Sequence, residues 1–134
     1  MRAMLAALLA LPILITACNK EPGEGGRAEI QGVVYEQLYN DATGLPIGDA
    51  YPLADYRVNI IYGADGEYPD DDVRTNPQGH FRFPWLRKGD YRIYVISECI
   101  DIEDPDCVQA IYAEVEISGR KDVQEVDTFF VRNY

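Results

Sequence analysis

The sequence predicts an all-β protein: a single seven-stranded antiparallel β-sandwich. Three observations lead there. Beyond residue 27 the apolar residues recur every second position, the period of a strand, and no run repeats at the 3.6 residues of a helix. Short β-branched and aromatic runs are cut by clusters of Gly, Pro and Asp. A chain of 134 residues, 47% hydrophobic and 11% aromatic, has the length of one domain and enough apolar material to bury a core.

The strands follow in order. Ala28 to Tyr39 is the first, and Val58-Asn59-Ile60-Ile61-Tyr62 the second, stopped by Gly63. A short one is expected around Val73-Arg74-Thr75. His80-Phe81-Arg82-Phe83 follows Asn76-Pro77-Gln78-Gly79, where Pro at the second and Gly at the fourth position suit a type I turn. Tyr91 to Ile96 follows the reversal Lys88-Gly89-Asp90. Val108 to Ile117 alternates Ile111, Ala113, Val115 and Ile117 against Tyr112, Glu114 and Glu116, and Gln124 to Val131 closes the domain. The same alternation assigns Val58, Ile60, Tyr62, Phe81, Phe83, Tyr91, Ile93 and Val95 to the core. Arg57, Arg82 and Arg92 fall on the outward face, with cross-strand pairing to Glu114 and Glu116 expected.

The start of the chain reads as an address. Met1-Arg2 supplies a positive charge, and Met4 to Ile15 is an uncharged apolar run, too short to cross a bilayer and interrupted by Pro12. Ile15-Thr16-Ala17-Cys18 completes it and resembles the lipobox of bacterial lipoproteins, with Ile15 where Leu is commonest. The resemblance implies a signal peptide over residues 1–17, cleavage after Ala17 and acylation of Cys18. Residues 18–27, rich in Gly, Pro and charge, read as a flexible tether, and residues 28–134 as the folded domain. Position 19 is Asn and not the Asp that tends to hold lipoproteins at the inner membrane, so the outer membrane is the expected location. Lys20-Glu21 resembles a fragment of the surface-export signals that some lipoproteins carry.

Charge and cysteines agree with export. The chain has 12 Lys+Arg against 23 Asp+Glu. Loss of Arg2 leaves 11 basic residues and a mature charge of −12. An acidic surface repels phosphate backbones, which excludes nucleic acid as a partner. Acylation would remove Cys18 from a count of three, leaving Cys99 and Cys107 in an oxidising compartment. A disulfide between them would pin a hairpin loop and stabilise by about 2.5 kcal/mol through the entropy of the unfolded chain.

Gly32-Val33-Val34, Gly44-Leu45-Pro46-Ile47, Val58-Asn59-Ile60, Thr75 to Phe83 and Leu86 to Ile93 share the cadence G-x-V, G-x-P-I, alternating strand, T-x-x-x-G-x-F-x-F and L-x-x-G-x-Y. This resembles the carboxypeptidase-regulatory-like, transthyretin-like domains over most of residues 31–95. The resemblance implies a transthyretin-like sandwich and says little about function. The stretches Gly48 to Asp55 and Ala64 to Asp72 depart from the pattern and read as loops in which individual function would sit. One branch of that fold hydrolyses 5-hydroxyisourate with several His and Arg residues and a C-terminal Tyr-Arg-Gly-Ser. This chain has one His and ends Val131-Arg132-Asn133-Tyr134, so no enzyme of that kind is expected.

The remaining candidate residues are few. Asp65, Glu67 and Asp70 in one loop, and Asp101, Glu103, Asp104 and Asp106 inside the cysteine pair, are weak calcium ligands, without the spacing of an EF-hand. Otherwise they are solvated acidic loops, and no cofactor is expected. Among ten Tyr and one Trp, Tyr51 and Tyr68 lie in loops and are the candidates for ligand contact. Trp85, in Phe83-Pro84-Trp85-Leu86, reads as a core or strand-end residue, and His80 as a surface residue. The expectation is a non-catalytic, lipid-anchored envelope module that binds or scaffolds another envelope component, a protein or a glycan. A carbohydrate-binding accessory module is the alternative.

Overall fold

β1 (Glu24–Tyr39) is the strand on which one sheet is assembled. The structure, a computed structural model, describes residues 21–101 and 103–134. The signal peptide expected over residues 1–17 and the lipidation expected at Cys18 lie outside the described residues.

Along one edge β1 pairs antiparallel first with β5 (His80–Leu86) and then with β2 (Pro46–Pro52). Val34 makes the changeover. Its N–H donates to the Gly79 carbonyl at 2.8 Å, and its own carbonyl accepts from the Leu53 N–H at 3.0 Å. Along its other edge β1 runs parallel to β8 (Val123–Glu125) and β9 (Phe129–Asn133). The second sheet has the order β4 (Asp71–Arg74), β3 (Arg57–Tyr62), β6 (Gly89–Glu98), β7 (Val108–Ile117), antiparallel throughout.

The inner faces of the two sheets share one core. Ile30, Val34, Phe81, Phe83, Phe129 and Val131 come from the first sheet, and Val58, Ile60, Tyr91, Ile93, Val95 and Ile117 from the second. Each such side chain contributes roughly 1.5–3 kcal/mol of burial. Seven of the eight core residues expected from alternation are buried, and Tyr62 packs against them half-buried. The Asn76–Gly79 turn forms as expected. Gly79 N–H donates to Asn76 O at 2.9 Å, and Gly79 takes φ +78°, which a residue with a Cβ reaches only with strain. Asn76 Oδ1 accepts from the Gln78 and His80 N–H groups.

The described residues form nine strands, not seven, and two pairings are parallel. β2 is the added element: Pro46, Gly48 and Pro52 interrupt any alternation, so its residues read as loop. As an edge strand it tolerates proline at its ends, and its residues are mostly exposed. The closing strand is two, since Asp127 and Thr128 break the run after Val126 N–H donates to Gln31 O at 3.0 Å. Part of the acidic stretch Ala64 to Asp72 is strand as well, because β4 begins at Asp71 and pairs it with Ile60.

β1 also starts at Glu24, before the expected Ala28, so residues 24–27 belong to the strand and not to a tether. Just upstream the chain is already fixed. Pro22 packs on Gly89, and a Cβ at Gly23 would meet the Tyr62 ring at 3.4 Å. Gly23 N–H donates to Tyr91 Oη at 2.9 Å, Tyr91 O–H donates to Arg87 O at 2.7 Å, and Arg87 N–H donates to Gly23 O at 2.8 Å.

The registers define two ends. One carries the start of β1, the β5–β6 turn, the loop 63–70 and the turn 118–122, as Tyr62 opposite Tyr91 and Gly89 opposite Ile117 require. The other carries the ends of β1, β6 and β9, the turn 40–45 and the loop 99–107. There Cys99 and Cys107 form the expected disulfide, with a Cα–Cα distance of 5.3 Å.

The tyrosine clamp gives an alkaline limit to stability. Burial, then the carboxylates of Asp71, Glu24 and Asp70, push Tyr62 up to about 12, and burial raises Tyr91 and Tyr56. A phenol raised in the folded state stabilises fully below its unfolded value of 10.0, and that stability is lost as pH rises through the folded value. The contribution of these phenols to the urea midpoint should therefore be constant below pH 10 and be lost between pH 10 and about 12. Tyr62→Phe should flatten part of that fall, and an unchanged slope would count against this origin.

Candidate functional site

At the end that carries the disulfide, the last residues of β1, β2 and β9 bring a polar cluster together. A register shift in the β1–β2 pairing between Glu36 and Leu38 reorients the strand there. Glu36 Oε2 accepts the Tyr51 O–H, and its Oε1 accepts Asn133 Nδ2–H at 2.9 Å. Tyr56 O–H donates to the Ile96 carbonyl, and Tyr134 N–H donates to Glu98 Oε2 at 2.8 Å. The bond to Glu36 raises the Tyr51 phenol above its ordinary value. Tyr56 is raised by burial first and then by Glu36 and Glu98.

Aromatic faces flank these groups. The Tyr39 and Tyr134 rings lie 5.2 Å apart, with the Arg132 guanidinium 5.5 Å from Tyr39. The turn after β1 brings Gly44 against Ile100 of the disulfide-bonded loop, and Leu45, Ile47 and Ile100 are exposed. The end thus combines apolar surface, aromatic rings, a carboxylate and an amide.

Tyr51 belongs to this end, on β2 and not in a loop. Tyr68, 79% exposed, lies in the loop 63–70 at the opposite end, so the two expected contact residues do not converge. The acidic loops are likewise at opposite ends. Their carboxylates partly serve local turns: Asp70 accepts from Tyr62 N–H, Asp101 from Glu103 N–H, and Asp104 from Asp106 N–H. Among the described residues no three His, Cys, Asp or Glu side chains come together as a metal site.

Of the two places expected for Trp85, core or strand end, the structure gives the strand end, and the expected arginine pairing is corrected. Trp85 is 65% exposed, at φ +61°. For a bulky side chain this backbone costs of order 1–3 kcal/mol, and it turns Trp85 out of the core pattern that buries Phe83 and Leu86. Arg92 does not pair with Glu114 but stacks 4.5 Å from the Tyr112 ring, which itself lies 5.2 Å from Tyr94. Arg82 pairs with Glu29 at 2.6 Å and Arg57 with Asp72 at 3.8 Å. Sequence reasoning also missed Glu36, Asn133 and Tyr134 as site residues. They lie almost a hundred positions apart, and only the parallel β1–β9 pairing joins them.

A cleft of about 450 Å³ runs between β7 and the β8–β9 segment, lined by Tyr112, Glu114, Glu116, Asp127 and Thr128. β7 has no strand partner on that side among the described residues, and the carboxylates of Glu114 and Glu116 protect the open edge from further pairing.

No known protein family matches the chain, and no curated protein does. Among solved structures it is similar to a Pseudomonas aeruginosa protein described as a "putative carbohydrate binding protein". That similarity covers 84% of this chain and 92% of the other, at 14% identity and a TM-score of 0.46.

Proposed function

We propose that this chain is a non-catalytic binding module of the bacterial cell envelope, a transthyretin-like β-sandwich held to the outer membrane by acyl chains on Cys18. The observation that carries the reading is the polarity of the domain. The chain leading from Cys18 is clamped at one end by Tyr91, and the Glu36–Tyr51–Asn133 cluster with its aromatic flank is displayed at the other. Anchored through Cys18, the domain would present that cluster away from the bilayer, toward an envelope partner. Its carboxylates hold hydrogen bonds that shape the surface, which suits recognition better than proton transfer.

A glycan is the second reading, favoured by the chemistry of the same end. A sugar ring rests its C–H face on an aromatic ring and directs its hydroxyls to carboxylates and amides. The test is a glycan array with residues 18–134, followed by titration of any hit. Tyr51→Ala and Tyr39→Ala should each weaken binding about tenfold, the size of one good contact. Tyr68→Ala, at the opposite end, should change nothing. An array without hits removes the glycan reading. Cross-linking from position 51 in envelopes should then capture a protein, and failure of that capture would overturn the placement of the site.

A further inference from the structure

We infer that the open edge of β7 is a docking site for an extended, basic segment of a partner protein, which adds as a fifth strand to the β4-β3-β6-β7 sheet. The inference needs neither the anchor nor the cluster at the far end. All of β7 pairs with β6 along one edge, from Val108 opposite Glu98 to Ile117 opposite Gly89. Along its other edge β7 has no strand partner among the described residues. Every second residue therefore directs its N–H and C=O away from the sheet, as a template for one more strand. The cleft of about 450 Å³ lies along this edge, so the place of the next strand is open.

The two faces of β7 state what such a strand must carry. On the inner face Ile111 and Ala113 are only half-buried at the margin of the core, with half-buried Val126 on the opposite wall of the cleft. Apolar residues at alternate positions of an added strand would cover them. The other face is acidic. Glu114 and Glu116 line the cleft from β7, Glu125 and Asp127 line it from the far wall, and no lining residue is Lys or Arg. None of these four carboxylates is in an ion pair among the described residues. Arg92 lies opposite Glu114 in the ladder but turns to the Tyr112 ring, and Glu116 lies opposite Asp90, a like charge that weakens the ladder. Arg120 and Lys121 follow only in the turn beyond the end of β7. Lys or Arg at the remaining positions of an added strand would stand about 5 Å from the two glutamates, the spacing of direct cross-strand pairs. The complementary segment thus alternates basic and apolar residues.

The same carboxylates decide against a second copy of this chain. Pairing β7 with β7 would set glutamate beside glutamate, and like charges across a ladder are unfavourable. The glutamates that keep the edge from self-association are therefore also its means of selection. They repel an acidic strand, gain nothing from a neutral one, and admit a cationic one.

Synthetic peptides about as long as β7 test this on residues 18–134 carrying Cys18→Ser, which leaves no thiol outside the disulfide. An alternating Lys-Val peptide should bind, and amide exchange followed by NMR should slow at every second residue of β7. An alternating Glu-Val peptide should not bind. The Lys-Val peptide methylated at every backbone nitrogen keeps its charges but cannot donate to the edge, and it should lose binding. Glu114 and Glu116 are exposed, so E114K and E116K combined should leave the fold intact. That variant should bind the Lys-Val peptide about tenfold more weakly or worse, and it should now bind the Glu-Val peptide. Tyr51→Ala should change none of this, which separates the edge from the cluster at the far end. Absence of Lys-Val binding, equal binding of the methylated peptide, or slowed exchange confined to β9 would each overturn the proposal. Slow exchange along the β7 edge without peptide, in a chain that sediments as a dimer, would assign the edge to a second copy and overturn it as well.

Discussion

Cys18→Ser should abolish acylation and take the protein out of the acylated membrane pool altogether. Each buried CH₂ of an acyl chain contributes about 0.8 kcal/mol, a single chain binds only marginally, and two or more make attachment effectively stable. The lipobox resemblance gives three chains to Cys18, two on the sulfur and one on the new amine. Removing the thiol would remove them together. Metabolic labelling with an alkyne fatty acid checks this. The wild-type chain should carry label and enter the detergent phase, and the Cys18→Ser chain should carry none. Wild-type protein that reaches its mature mass without label would overturn the anchoring reading, and with it the polarity argued for the domain.

The all-β, two-sheet architecture was legible where one face of a strand is buried and the other wet. β6 and β7 show why. Tyr91, Ile93 and Val95 alternate with Asp90, Arg92 and Tyr94, and burial follows the alternation residue by residue. β2 was not legible because its environment is not two-faced: nearly all of it is exposed, and it is held by backbone pairing to β1. Backbone pairing leaves little mark on the choice of side chain. The same holds for the parallel joins of β8 and β9. For Trp85 the sequence left core and strand end open for a different reason, since its outward position depends on one left-handed residue that interrupts the strand period. The disulfide was legible because Cys99 and Cys107 lie eight residues apart between two strand-like runs, close enough to close a hairpin loop. The cluster at the far end was not. Tyr51 was visible as an exposed aromatic, but its partners Glu36 and Asn133 are ordinary strand residues until β1 and β9 lie side by side.

Phe81→Ala should cost about 3–5 kcal/mol, a large share of the total stability of a domain this size. The ring is 3% exposed and packs against Phe83 and Phe129, at centroid distances of 6.0 and 6.1 Å. It also explains Gly32, the glycine of the Gly32-Val33-Val34 motif. Gly32 has no left-handed backbone requirement. A Cβ there would instead meet the Phe81 ring at 2.6 Å and the Val126 side chain at 2.7 Å. Gly32→Ala should therefore cost roughly 1–3 kcal/mol by overpacking. The two substitutions should not add. Once the ring is gone, the methyl group added at position 32 occupies space that the ring filled, so the double variant should be more stable than the sum of the single losses by about 1 kcal/mol or more. Urea midpoints of the four proteins measure this coupling directly. Strict additivity would mean that the Val126 side chain, and not the ring opposite, limits position 32. The coupling, if found, identifies the G-x-V and G-x-F-x-F elements as one packing unit, in which a glycine on β1 exists to receive an aromatic ring from β5.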